Sequence, residues 1–242
     1  MIEVRWMWAF LDTVEAVSPV SEVFWADATR AKPSSRRGER GEFATLLPDR
    51  GDPWVKVQRV LDGGGVHLDL DVDDVATAAD EAAQLGATEV HRYSDGNVVV
   101  MRSPGGFTFC LTSWTNAGSP STQVRDDQPD LLDQVCLDVP SDLYAGELAF
   151  WERLTGWPRR AGSLPEFTSL TRPDGIPVRL LFQRLGEATG TVRAHIDFAC
   201  HDRAASRVAH EAAGATTVEE HDFWTVMRDP VGRTYCLTHR LP

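Results

Sequence analysis

Two short strings hold the residue types that do chemistry: His67-Leu68-Asp69 and His195-Ile196-Asp197. An imidazole titrates near neutral pH, and a carboxylate two positions along the same strand face lies close enough to influence its pKa. Such a pair can serve as a general base or as a hydrogen-bonding anchor for a ligand. A hydrogen-bonded structural histidine is the plainer alternative. His91, His201, His210, His221 and His239 fall in loops, on helix surfaces or at an end, and read as solvated.

The elements that must position these pairs are strands. Side chains alternate across a strand, so in HLDLDV the residues His67, Asp69 and Asp71 share one face and Leu68, Leu70 and Val72 the other. In the twin string His195 and Asp197 oppose Ile196, Phe198 and Cys200. Further on, Thr108, Cys110 and Thr112 oppose Phe107, Phe109 and Leu111, just as Thr234, Cys236 and Thr238 oppose Tyr235 and Leu237. The apolar faces must lie under helices. A polar face can look to water, or it can line a ligand cavity if the sheet curves.

The chain repeats itself, which decides its organisation before any local detail. Residues 98–112, VVVMRSPGGFTFCLT, match residues 224–238, WTVMRDPVGRTYCLT, at an offset of 126. Phe24-Trp25 recurs as Phe150-Trp151, Leu11-Asp12 as Leu137-Asp138 and Gln58-Arg59 as Gln183-Arg184, at nearly the same offset. Two modules are therefore expected, at 1–115 and 131–242, joined by a polar linker over 116–130. Within each module the order strand, helix, strands occurs twice. In the first half of module one the helix is expected to end at Phe24-Trp25; in the second halves Gly86 and Gly214 close Ala-rich helices.

Composition narrows the function classes. With 242 residues, 42% hydrophobic and 25% charged, the chain is ordinary globular protein. No apolar run approaches the roughly 18 residues of a membrane span. Glu3, Arg5 and Asp12 interrupt the amino-terminal stretch, so a secretory signal is not expected and the cytoplasm is the expected compartment. A net charge of −12 argues against nucleic acid, and the Arg36-Arg37-Arg40 cluster among Pro, Ser and Gly reads as a solvated loop. The four cysteines form no C-x-x-C pair and read as reduced thiols. Dinucleotide, P-loop, H-E-x-x-H and G-x-S-x-G signatures are absent.

The frames HLDLDV…LGAT…VVVMRSPGGFTFCL and HIDFAC…AGAT…WTVMRDPVGRTYCL resemble the second halves of glyoxalase-like modules of the vicinal oxygen chelate superfamily. The resemblance implies an α+β fold of four βαβββ units, two per module, each module a cup-shaped mixed sheet with helices outside. It favours the cavity over the wet face, with Trp8, Trp54 and Trp224 as aromatic candidates for its lining. Carried over from metal-binding members, the ligand places fall on Trp8, Gln58, His67 and Cys110 in module one and on Gln134, Gln183, His195 and Cys236 in module two. Cysteine replaces the final carboxylate in both, and an indole cannot ligate a cation. No metal and no other cofactor is therefore expected. The ligand pocket is expected to comprise these eight residues with Asp69 and Asp197, and His67 and His195 are the candidates for catalysis. The resulting expectation is a small-molecule-binding protein or metal-independent enzyme; the alternative is a metal-dependent isomerase, lyase or dioxygenase with its site in module two, and a third class makes the modules chiefly an interface. The modules are expected to pack within one chain, and superfamily modules pair readily enough to make a homodimer compatible.

Overall fold

The structure is a computed structural model that describes residues 1–115 and 128–241. Most of the expected linker, residues 116–127, lies outside the described residues. The elements follow the expected fourfold order. The first quarter is β1 (Val4–Val14), a 3-10 turn (Glu15–Val17), α1 (Ser18–Thr29), β2 (Lys32–Pro33), β3 (Phe43–Leu47) and β4 (Val55–Val60). The second is β5 (Gly65–Val72), α2 (Val75–Gln84), β6 (Thr88–Arg92), β7 (Val98–Arg102) and β8 (Thr108–Ser113). The third is β9 (Asp130–Val139), α3 (Tyr144–Thr155), β10 (Arg159–Ala161), β11 (Phe167–Leu170) and β12 (Arg179–Arg184). The fourth is β13 (Arg193–Cys200), α4 (Arg203–Ala212), β14 (Thr216–Glu220), β15 (Trp224–Arg228) and β16 (Thr234–Thr238).

The strands form two open mixed sheets, ordered β2-β3-β4-β1-β5-β8-β7-β6 and β10-β11-β12-β9-β13-β16-β15-β14. This is the cup-shaped α+β arrangement of two glyoxalase-like modules. Parallel pairing of β5 with β8 and of β13 with β16 follows from the helix and two strands that lie between them in sequence.

Local chemistry explains the helices. Asp74 and Asp202 cap α2 and α4, accepting from the backbone N–H of Thr77 and Ala205. Gly86 and Gly214, at φ +104° and +107°, turn the chain out of each helix, as expected. α1 does not stop at Phe24-Trp25. Ala26, Asp27 and Ala28 contain no breaker, so the helix continues to Thr29, where Arg30 adopts φ 55° and its N–H bonds back to Ala26 and Asp27.

Two compact units emerge, and each gathers quarters from both modules. Unit one contains Met1–Ala9, the second quarter from His67 and Cys136–Ala194. In it the two modules pack against each other: the Gly105 N–H donates to Glu147 at 2.8 Å, Val192 N–H donates to the Gly105 carbonyl at 2.9 Å, and Phe109 meets Phe150 and Trp151 at ring-centroid distances of 5.9 and 5.1 Å. Unit two contains Phe10–Val66, the start of β9 and His195 onward. Its core sets Phe24 and Trp25 of α1 against Phe198 and Tyr235, all within 3% exposure.

Candidate functional site

Both faces of β5 are buried from Val66 to Val72, and both faces of β13 from Ile196 to Cys200. Leu68 and Leu70 are fully buried, as are Ile196 and Phe198, whereas His67, Asp69 and Asp71 retain 6–8% exposure. His195 is half-buried and Asp197 retains 2%. In β8 and β16 Phe109, Leu111, Tyr235 and Leu237 lie inside, and Cys110 and Cys236 keep slight exposure. Each polar face is most secluded at its centre, around Asp69 and Cys110 and around Asp197 and Cys236, and opens toward its ends, where Thr234 is exposed.

Register brings them together. In unit one Asp69 lies opposite Cys110 and Asp71 opposite Thr112. His67 Nε2 is 3.5 Å from Asp69 Oδ1. Asp71 accepts from the Trp8 indole at 2.9 Å and from the Thr112 hydroxyl at 2.5 Å. Burial first, and the Asp69 charge next, push the Cys110 thiol up to about 12, against an opposing pull from His67. Trp8 therefore acts as a hydrogen-bond donor that fixes a carboxylate.

In unit two Asp197 lies opposite Cys236. His195 Nε2 is 3.3 Å from Asp197 Oδ1. The Gln134 side-chain amide donates to Asp197 Oδ2, which leaves Oδ1 turned toward the imidazole, buried and without a hydrogen bond. Gln134 thus stands where module one has Trp8, and both donate to a carboxylate of the neighbouring strand. Trp224, half-buried in β15, stacks on His221 with centroids 4.5 Å apart.

Other expected members are placed differently. Gln58, opposite Phe43 in β4, belongs to unit two, and Gln183, opposite Phe167 in β12, belongs to unit one; both are half-buried. Trp54 is buried, donates to the Leu132 carbonyl, and lines a separate cavity of about 270 Å³ in unit two with Arg30, Leu46 and Leu132. His210 is not solvated. It is 2% exposed, with Nδ1 2.9 Å from the Tyr235 hydroxyl and Nε2 3.6 Å from Asp130. Ser206 and His210, four apart on α4, form the helix stripe that faces the sheet, a period-3.6 signal present in the sequence. Burial would raise the Asp130 carboxyl, but the neighbouring His210 imidazole, the Arg30 guanidinium bonded to it at 2.6 Å and the nearby Ser206 hydroxyl outweigh it and hold it at about 2. The Arg36 expectation also changes: Arg36 and Arg59 both pair with Glu22, so one end of that loop is anchored.

Metal-binding relatives of this fold call for a test of the donors present. Among the described residues, His67, Asp69 and Cys110 in unit one, and His195, Asp197 and Cys236 in unit two, each offer ligand atoms within 4.8 Å of one another. A four-coordinate ion with ligands at 2.0–2.3 Å places its donors roughly 3.3–3.8 Å apart, and the 3.3 Å between His195 and Asp197 matches that. The residues fit a cation, through a set that includes an aspartate outside the family's ligand places.

Tandem βαβββ units with a secluded polar face on each mixed sheet define the class of protein. The glyoxalase-like domain family matches residues 8–112 and 134–238, and the chain belongs to that family, within the vicinal oxygen chelate superfamily. No curated protein sequence matches it. Among solved structures it is similar to a Mn(II)-bound glyoxalase from Novosphingobium aromaticivorans (14% identity, TM-score 0.70, 100% of this chain and 84% of that one). It is also similar to the 2,3-dioxygenase LapB from Pseudomonas sp. KL28 (14%, TM-score 0.65, 98% and 93%). The chain spans 48% of a xylose isomerase-like TIM barrel/4-hydroxyphenylpyruvate dioxygenase fusion protein, which covers 97% of it at 14% identity and TM-score 0.61. At such identity these likenesses establish the fold and nothing finer.

Proposed function

We propose that the protein binds a small organic molecule against the polar sheet face of module two, residues 131–242, with His195, Asp197 and Gln134 as its contacts. The observation that carries this reading is the burial of Asp197, Gln134 and Cys236 beside the half-buried His195. Secluding carboxylate, imidazole and amide from water costs free energy, and a ligand that offers hydrogen-bond donors recovers it. The pairing of Gln134 with Asp197 preorganises the carboxylate, and the adjoining imidazole can take or give a proton. Such binding requires no metal, and the cytoplasm is the compartment in which four reduced thiols are at home. A second reading, a metal-assisted isomerase, lyase or dioxygenase of the kind common among structural relatives, is favoured by the convergence of His195, Asp197 and Cys236; a bound cation would supply polarisation of a ligand oxygen. The test is a thermal-shift screen of small organic metabolites with the full chain. A stabilising hit that His195→Ala abolishes and His67→Ala leaves intact supports the module-two site; a hit indifferent to both removes the histidines from binding.

A further inference from the structure

We propose that His195, Asp197 and Cys236 form a thiolate-bearing divalent-cation site of zinc type, in which the carboxylate has moved one strand sideways from the family's place. This rests on the polar face of module two being the working surface, though not on any organic ligand. The family's ligand places put a carboxylate in the last strand, where this chain has Cys236. Counting only those places leaves the set short of an anionic oxygen. The register of the parallel pair supplies it, because Asp197 of β13 lies directly opposite Cys236 of β16.

Four observations point to a cation over a purely structural trio. The donor atoms of His195, Asp197 and Cys236 all lie within 4.8 Å of one another. Asp197 Oδ1 is buried on a residue 2% exposed, has no hydrogen bond, and faces the imidazole nitrogen at 3.3 Å. Buried acceptors are almost always satisfied, and a cation between the oxygen, the nitrogen and the sulfur would satisfy this one. Gln134 holds the other oxygen, which fixes the carboxylate orientation as outer partners of metal ligands do. The same residue types converge in unit one as His67, Asp69 and Cys110, so the grouping has been kept through the duplication.

The donor chemistry selects the ion. A sulfur ligand beside imidazole and carboxylate suits zinc or cobalt(II), whereas manganese and magnesium favour all-oxygen sets. Three protein donors also leave a place for an oxygen of a bound molecule, the arrangement of catalytic zinc.

The test is cobalt(II) titration of the metal-stripped full chain, read by a sulfur-to-cobalt charge-transfer band. Cys110→Ser is introduced first, so that only module two can contribute. The expected result is a band that saturates at one equivalent of cobalt, bleaches on adding zinc, and persists in a hundredfold excess of manganese. Adding Cys236→Ser should abolish the band, and Asp197→Asn or His195→Ala should weaken cobalt binding at least tenfold, with circular dichroism confirming the fold. Absence of a band in the unmutated chain at saturating cobalt overturns the proposal, as does a band in the Cys110→Ser chain that survives Cys236→Ser. Because no organic molecule is present, failure here leaves the thermal-shift result standing, and the reverse also holds.

Discussion

Units one and two solve one packing problem with the carboxylate on opposite partners. In unit one Trp151 of α3 donates its indole N–H to Glu147 of the same helix at 2.8 Å, and the second Glu147 oxygen accepts from the Gly105 N–H in the turn after β7. In unit two Trp25 of α1 donates to Asp229, which lies in the turn after β15, at 3.0 Å, and Asp229 also accepts from the Val231 and Arg233 N–H groups. At an offset of 126 Glu147 corresponds to Ser21, and Asp229 to Ser103. The helix carries the acid in one unit and the turn carries it in the other. Each arrangement supplies one buried acceptor to the indole and to the turn, and a second carboxylate there would be a like charge in a low-dielectric site. What duplication retained was the satisfied contact, with its two residues exchanged.

The exchange sets the neighbouring residue. A Cβ on Gly105 would lie 2.4 Å from Val192 and 2.7 Å from the Glu147 carboxylate. The equivalent position holds Val231, because Asp229 reaches back from within the turn and nothing need approach the backbone there. The sharpest way to break the comparison is Gly105→Val, expected to cost above about 3 kcal/mol by overpacking, against under about 1 kcal/mol for Val231→Ala. Denaturant midpoints of the two variants measure the difference; equal losses would remove the exchange as the reason for the glycine.

A comparably large effect separates the two faces of β13. Phe198→Ala should destabilise by roughly 3–5 kcal/mol as a core truncation, whereas His195→Ala should fall within about 1 kcal/mol because a residue on the polar face gives up few packing contacts. Chemical unfolding of both variants tests the face assignment directly.

Next in size is the exchanged acid itself. Glu147→Ala should cost about 2–3 kcal/mol by leaving the Trp151 and Gly105 N–H groups buried without an acceptor, and Ser21→Ala, at its counterpart, about 1 kcal/mol. Adding Ser103→Asp to Glu147→Ala should restore part of the loss if the two positions are interchangeable.

The smallest effect concerns Asp130, whose counterpart at the offset of 126 is Val4. Its folded-state pKa, about 2, lies below the ordinary value of 3.8. The stability it contributes is therefore present above the unfolded pKa and lost as pH falls through the folded one, a window from about 4 down to 2. The difference corresponds to about 2 kcal/mol. Unfolding free energies of wild type and Asp130→Asn should converge across that window, with the variant flatter; parallel curves would show that Asp130 is not the group responsible.

The helix ends teach a lesson about legibility. Gly156 closes α3 at φ 72°, as a sequence reader expects of glycine, but its counterpart Arg30 closes α1 in the same left-handed conformation at φ 55°. A non-glycine residue there carries a strain of roughly 1 kcal/mol, and the Arg30 guanidinium bonded to Asp130 at 2.6 Å offsets it. Nothing near Arg30 in the chain announces that partner, which lies 100 positions away. The expected early stop of α1 overlooked the unbroken Ala26-Asp27-Ala28; what local signals could not supply is the tertiary contact that holds the end at Arg30.

Fourfold order, the duplication and the division of each strand into a polar and an apolar face were legible because strand and helix periods are local properties of residue order. His67, Asp69, His195 and Asp197 could be placed on one kind of face by that rule alone. Which groups meet across that face was decided by the tertiary structure. Gln134 reaches Asp197 over 63 positions and Trp25 reaches Asp229 over 204, through strand register and helix packing. The interleaving of quarters into two compact units, the burial of His210 against Tyr235 and the return of a carboxylate beside Cys236 have the same origin. A hydrogen bond or a shared cation depends on distances of about 3 Å between side chains, and residue order constrains such distances only after the sheets have paired.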